Sequence, residues 1–84
     1  MCTYATTTVT VAGSAYDGDD WRRTDRAVVY FDHPQDAPFD HALCIDMWSG
    51  TRRIAMELDA DSARALAASI VAMLEAPETR SLAG

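Results

Sequence analysis

The stretch Asp32-His33-Pro34-Gln35-Asp36-Ala37-Pro38-Phe39-Asp40-His41 lies between two apolar runs and decides how this chain folds. Both flanking runs, Arg26–His33 and His41–Trp48, are rich in the apolar, β-branched and aromatic residues that favour strands. The two prolines interrupt strand pairing, so we expect a hairpin closed by this loop. Counting back through the loop places His33 opposite His41, Phe31 opposite Leu43 and Val29 opposite Ile45.

A further strand is expected before this hairpin. Thr3–Ala12 is rich in β-branched residues and alternates, which predicts strand 1. Gly13–Asp25 contains Gly-Ser, Asp-Gly-Asp-Asp and Arg-Arg, and therefore predicts a long polar loop in which Trp21 alone is anchored.

After the hairpin, Ser49-Gly50 predicts a tight turn into strand 4, which runs from Thr51 or Arg52 to Leu58. A two-residue Ser-Gly loop fixes a register in which the apolar faces of strands 3 and 4 coincide. That register pairs Trp48 with Thr51, Ile45 with Ile54, Leu43 with Met56, His41 with Leu58, and Asp46 with Arg53.

A C-terminal helix is predicted from a cap at Asp59 to about Ala76, where Pro77 stops it. Its apolar stripe, with Leu66, Ile70, Met73 and Leu74, is expected to cover the apolar face of the sheet. Met47, Met56 and Met73 have the periodicity of core residues. The predicted fold is an α+β domain over residues 1–76, a four-stranded antiparallel meander with one helix packed on one face (ββββα), followed by a flexible tail at residues 77–84.

Composition limits the classes of partner. The chain has 84 residues, 49% of them hydrophobic, and a formal net charge of −6 with no lysine, which argues against nucleic acid. No segment is long and apolar enough for a membrane span, and the N-terminus lacks the features of a signal peptide, so a cytoplasmic protein with reduced thiols is expected. So short a chain buries a marginal core, which favours a homo-oligomer. Its expected contact face contains Tyr30, Cys44 and Trp48.

The topology gathers the residues that carry chemistry at one edge of the sheet, where strand ends and the helix start meet. They are Cys2, Tyr4, Asp32, His33, Asp36, Asp40 and His41. One interpretation is a small-molecule-binding protein, extending to a cofactor-free acid/base enzyme of the isomerase, cyclase or lyase type. His33 and His41 would then transfer protons, Asp32 or Asp40 would orient them, and Cys2, Tyr4 and Phe31 would contact the ligand.

Three other interpretations stay open. His33, His41 and Cys2 form a ligand set for Zn, Cu or Fe, although their spacing matches no standard zinc motif. The chain could instead be a non-catalytic oligomeric interaction module. In the structural alternative, the histidines cap strand ends and the aspartates end turns. Cys44 is expected to be a small buried hydrophobic residue rather than a ligand.

Several segments resemble a family of small uncharacterised actinobacterial proteins. They are the opening Met-Cys-Thr-Tyr, the Tyr-Phe-Asp-His-Pro motif at residues 30–34, the His-Ala-Leu-Cys-Ile-Asp segment at residues 41–46 and the start of the helix. The resemblance extends to Cys2, His33 and His41, whereas members tend to have histidine where this chain has Asp36 and asparagine where it has Cys44. It implies no particular activity; by association, it suggests a setting in specialised metabolism.

Overall fold

Four antiparallel strands in the order β1-β2-β3-β4 form one sheet in the computed structural model, which describes residues 5–82. The strands are β1 (Ala5–Tyr16), β2 (Trp21–Asp32), β3 (Ala42–Ser49) and β4 (Arg52–Leu58). Helix α1 (Ala60–Glu75) follows β4 directly, and the short α2 (Pro77–Arg80) continues the chain. The predicted ββββα order is therefore confirmed, while four of the tail residues form a helical turn.

The β1–β2 hairpin is much longer than the sequence suggested. Residues 13–25 were expected to form a loop, but β1 continues to Tyr16 and β2 begins at Trp21. The turn is held by Asp17, whose carboxylate accepts the backbone N–H groups of Asp19 and Asp20 at 2.9 Å and a bond from Arg22 Nε. Trp21 was expected to be anchored, yet it is exposed; its ring contacts that of Tyr16 at a tilt of 57°, with 5.5 Å between ring centroids.

The register of β2 against β3 is as predicted, with Phe31 opposite Leu43 and Val29 opposite Ile45. The register of β3 against β4 was predicted wrongly by two residues: Ile45 faces Met56, and the two-residue turn is Gly50-Thr51. Gly50 has a φ of +58°, which suits the first position of a type II′ turn, and this choice moves the turn one residue along the chain. Because the shift is even, every side chain keeps its predicted face.

The two faces of the sheet are covered in different ways. The helix face, which carries Val29, Phe31, Leu43, Ile45 and Leu58, lies under α1. The opposite loop face carries Tyr30, Asp32, Cys44, Asp46 and Glu57, and the β2–β3 loop folds across it.

Helix α1 starts at the predicted cap, but it covers less of the sheet than was predicted. Asp59 caps it, accepting the Ser62 backbone N–H at 2.7 Å. No residue of α1 is buried, however, and both Met56 and Met73, expected in the core, are largely exposed. The helix meets the sheet mainly at β3, and small side chains such as Ala63 and Ala67 leave open space between the two layers.

Candidate functional site

The two histidines lie side by side at the closed end of the β2–β3 hairpin, as their predicted register requires. His33 follows the last residue of β2, His41 precedes the first residue of β3, and their ring centroids are 5.0 Å apart. Both residues are exposed, so their rings are within reach of solvent and of a ligand.

Asp32 and Asp40 both contact His33, in each case through a backbone group. His33 Nδ1 lies 3.1 Å from the carbonyl oxygen of Asp40. A carbonyl can only accept, so this contact requires the proton on Nδ1 and leaves Nε2 as the basic nitrogen. Asp32 is buried, and its Oδ1 accepts the backbone N–H of His33 at 2.7 Å. Asp40 was predicted to orient a ring, and it contacts His33 through its carbonyl oxygen.

His41 connects the pair to the space beneath α1. Its ring stacks on Phe31, with centroids 5.9 Å apart and an angle of 11° between the ring planes. Phe31 in turn lines a cavity of about 200 Å³ together with Leu43, Ala63 and Arg64. The predicted ligand-contacting residue Phe31 therefore has one side toward a histidine and another toward an apolar cavity.

A larger apolar cleft adjoins that cavity, since Leu43, Ala63 and Arg64 line both. It has a volume of about 380 Å³ and lies between the helix face of the sheet and the part of α1 from Ala63 to Ile70. Among the described residues that line it, Arg64 is the charged one. Arg64 forms an ion pair with Asp61 at 3.2 Å, but both side chains are strongly exposed, so the pair is weak and readily exchanged for a ligand.

On the loop face, Glu57 holds the β2–β3 loop in place. Its carboxylate accepts the backbone N–H groups of Gln35, Asp36 and Ala37, in the loop that crosses over β3. These bonds stabilise the charged form and lower the pKa of Glu57 below its usual value. Asp36, a predicted member of the site, thus sits in a loop that is fixed by a residue the sequence did not single out.

A second polar cluster on the loop face consists of Tyr30, Asp46 and Arg53, of which the sequence predicted the Asp46–Arg53 pair. Asp46 is buried, and its Oδ2 accepts bonds from the Tyr30 hydroxyl at 3.0 Å and Arg53 Nη1 at 3.3 Å. Burial and the bond to Asp46 raise the pKa of Tyr30 to about 12. The expected Asp46–Arg53 pair therefore exists, but as a diagonal contact, because Arg53 lies opposite Trp48. The signal in the sequence for this pair was the presence of opposite charges on one face of adjacent strands.

Cys44 is buried as predicted, with 4% of its surface exposed, and burial raises the pKa of its thiol. Of the three residues expected to form a partner face, Tyr30 and Trp48 are half-buried and Cys44 is covered within its own chain. Self-association itself stays a prediction.

Two predicted site residues, Cys2 and Tyr4, lie outside the described residues. Within residues 5–82, no group of three or more histidine, cysteine, aspartate or glutamate side chains is placed to hold a metal ion. The proposed set His33, His41 and Cys2 includes a residue outside that range, so the metal interpretation stays a prediction. In the same range, neither helix is long and apolar enough to cross a membrane.

The fold and site define a class: a small ββββα protein with a histidine pair at a hairpin end and an apolar cleft beneath its helix. The chain belongs to a family described as a family of unknown function (DUF6295), whose sequence profile matches residues 1–83. Comparisons with curated proteins and with solved structures gave no significant match.

Proposed function

We propose that this protein binds a small apolar molecule with an anionic end in the cleft between α1 and the sheet. The observation that carries the proposal is the continuity from the histidine pair, through the Phe31 ring, into the apolar cavities beneath the helix. The ligand's apolar body would occupy the cleft, and its polar end would lie near Arg64 and His41.

The size and chemistry of the cleft support this choice of ligand. Small-molecule sites are concave, mostly apolar and of roughly 300–1,000 Å³, with a few polar groups that fix orientation. The cleft, at about 380 Å³, is within that range, and its apolar walls carry a single guanidinium at Arg64. A guanidinium pairs well with a carboxylate, which makes an apolar carboxylic acid the simplest ligand.

The proposal extends to acid/base chemistry by His33 and His41. With Nδ1 of His33 donating to the Asp40 carbonyl, Nε2 would act as the base, and the neighbouring His41 would supply or receive the second proton. General acid/base groups of this kind can assist cofactor-free isomerase, cyclase or lyase reactions, in which proton transfer accompanies the bonds that form or break. The resemblance to actinobacterial proteins suggests specialised metabolism as the setting.

Binding of decanoate, followed by isothermal titration calorimetry and by NMR of the histidine rings, tests the proposal. We expect Ala67→Trp, which fills the cleft, to weaken binding at least tenfold. Ala68→Trp, one position along on the outer side of α1, is the matched control and should leave binding unchanged.

The charged end is tested by comparing decanoate with decanol. Arg64→Gln should weaken decanoate several-fold and leave decanol unaffected, because only the carboxylate uses the guanidinium. Decanoate should also shift the ring signals of His41. Equal affinity of the Ala67→Trp and Ala68→Trp variants, or unmoved His41 signals in a saturated complex, would contradict the proposed site.

A further inference from the structure

The described part of the chain buries almost no large apolar side chain, although 49% of the sequence is hydrophobic. Within residues 5–82 the buried hydrophobic residues are Ala27, Ala42 and Cys44, all of them small. Stable domains depend on burying apolar surface, and a chain of this length is already marginal. The isolated chain therefore lacks most of the core that its composition could form.

The surface area shows how much is left uncovered. The chain exposes 6309 Å², whereas a compact monomer of 9.2 kDa exposes about 4,900 Å². The excess of roughly 1,400 Å² is larger than the roughly 800 Å² that each partner buries in a standard stable interface. The radius of gyration, 14.4 Å, likewise exceeds the value of about 12 Å for a compact chain of this length.

Of the ten large hydrophobic residues that are exposed within residues 5–82, six lie on the second half of α1 and on the helix face of the sheet; the other four are Tyr16, Trp21, Leu66 and Leu82. The second half of α1 contributes Ile70, Val71, Met73 and Leu74, whose exposed fractions run from 53% to 66%. The helix face of the sheet adds Val9 and Met56, each nearly half exposed. We refer to these six residues as the open apolar surface.

We propose that a second copy of this chain covers the open apolar surface, forming a twofold dimer in which the second half of each α1 packs on the partner's sheet. The surface is suited to pairing with itself, because it combines a helix stripe with a sheet face. It is also uncharged from Ile70 to Leu74, so two copies of an acidic chain meet there without bringing like charges together.

The proposal of a dimer does not rest on the proposed function, although the two sites adjoin at Ile70, which also lines the cleft. The proposed contact between copies lies on the helix face of the sheet, opposite the loop face that carries Tyr30 and Trp48.

Light scattering coupled to size exclusion tests the proposal on the full chain. We expect wild type to have twice the 9.2 kDa chain mass, and Ile70→Glu to be monomeric. Ala72→Glu is the matched control, because it adds the same charge to the opposite side of the same helix and should remain dimeric. A wild-type monomer across the accessible concentration range, or equal behaviour of the two variants, would overturn it.

A measurement on wild type locates the contact even where Ile70→Glu fails to fold. In a mixture of isotope-labelled and unlabelled chains, intermolecular NOEs should join Ile70 or Leu74 methyl groups to Val9 or Met56. Intermolecular NOEs from Tyr30 and Trp48 instead would assign the interface to the loop face and contradict the proposal.

Discussion

At the scale of single residues, carboxylates that accept backbone N–H groups fix the irregular parts of this acidic chain. Asp17 holds the β1–β2 turn, Asp59 caps α1, and Glu57 holds the β2–β3 loop that carries the histidine site. The pKa of each carboxylate is lowered, at Asp17 first by the bond from the Arg22 guanidinium and then by the backbone N–H groups, and at Glu57 and Asp59 by the backbone N–H groups. Negative charge is thereby placed where the backbone offers uncompensated donors.

This arrangement predicts loss of stability in acid. A carboxylate with a lower pKa in the folded state adds stability above its unfolded pKa, and this contribution disappears as pH falls through the folded value. Unfolded carboxyl groups titrate at about pH 4, so we expect the free energy of unfolding to fall as pH drops below that value. Thermal unfolding followed by circular dichroism as a function of pH measures the effect.

Glu57→Gln isolates the contribution of the loop contact. An amide accepts N–H groups less strongly than a carboxylate, so the variant should have a Tm lower by a few degrees at neutral pH and a flatter acid limb. Glu78→Gln, at an exposed position of α2, serves as control. Identical acid limbs for wild type and Glu57→Gln would show that the three N–H contacts do not stabilise the folded chain.

At the scale of elements, the β1–β2 hairpin depends on its turn, because its outer part has no β3 neighbour: β2 pairs with β3 only from Arg26 onward. Gly18 has a φ of +96°, a conformation that side chains rarely adopt, and Gly13 lies at an irregularity in strand register with ordinary space around it. Gly18 and Gly13 are therefore a matched pair for substitution by alanine, because they lie in the same hairpin and only Gly18 has a positive φ.

Gly18→Ala should destabilise the protein by about 1 kcal/mol, since alanine disfavours positive φ. Gly13→Ala should be neutral or slightly stabilising, because its new Cβ would meet Thr24 Oγ1 at 3.5 Å, an ordinary contact distance. Urea unfolding of both variants provides the comparison. A larger loss for Gly13→Ala than for Gly18→Ala would contradict this account of the hairpin.

The hairpin also shows why the sequence predicted some elements and not others. β2 and β3 were recognised because their runs of apolar, β-branched and aromatic residues favour strands, and an even spacing across the loop then placed His33 beside His41. The outer part of β1–β2 is largely exposed, so no such pattern marks it, and its Gly, Asp and Arg residues resemble a loop.

The site was predictable to the extent that it depends on strand pairing. Glu57 was missed because its partners are backbone groups of a loop that crosses β3, a contact that no periodicity encodes. The apolar stripe of α1 was expected to cover the sheet, yet no residue of α1 is buried. Amphipathicity alone does not tell whether the cover comes from the same chain or from another.

At the scale of the whole molecule, folding and association are expected to be one process. Within residues 5–82 the buried hydrophobic residues are all small, so most of the apolar stabilisation would come from the contact between copies. In such a protein, stability depends on concentration, because the dimer dissociates as it unfolds.

The Tm of wild type should therefore rise with protein concentration, by about 4 °C for each tenfold increase if folded dimer converts directly to unfolded monomer. Ile70→Glu should have a lower Tm with no such dependence, because its charge would be buried in the contact, whereas Ala72→Glu should keep the wild-type slope. Calorimetry over a hundredfold range of concentration measures all three slopes. A wild-type Tm that does not change with concentration would mean that the single chain is stable on its own, with its open apolar surface facing water.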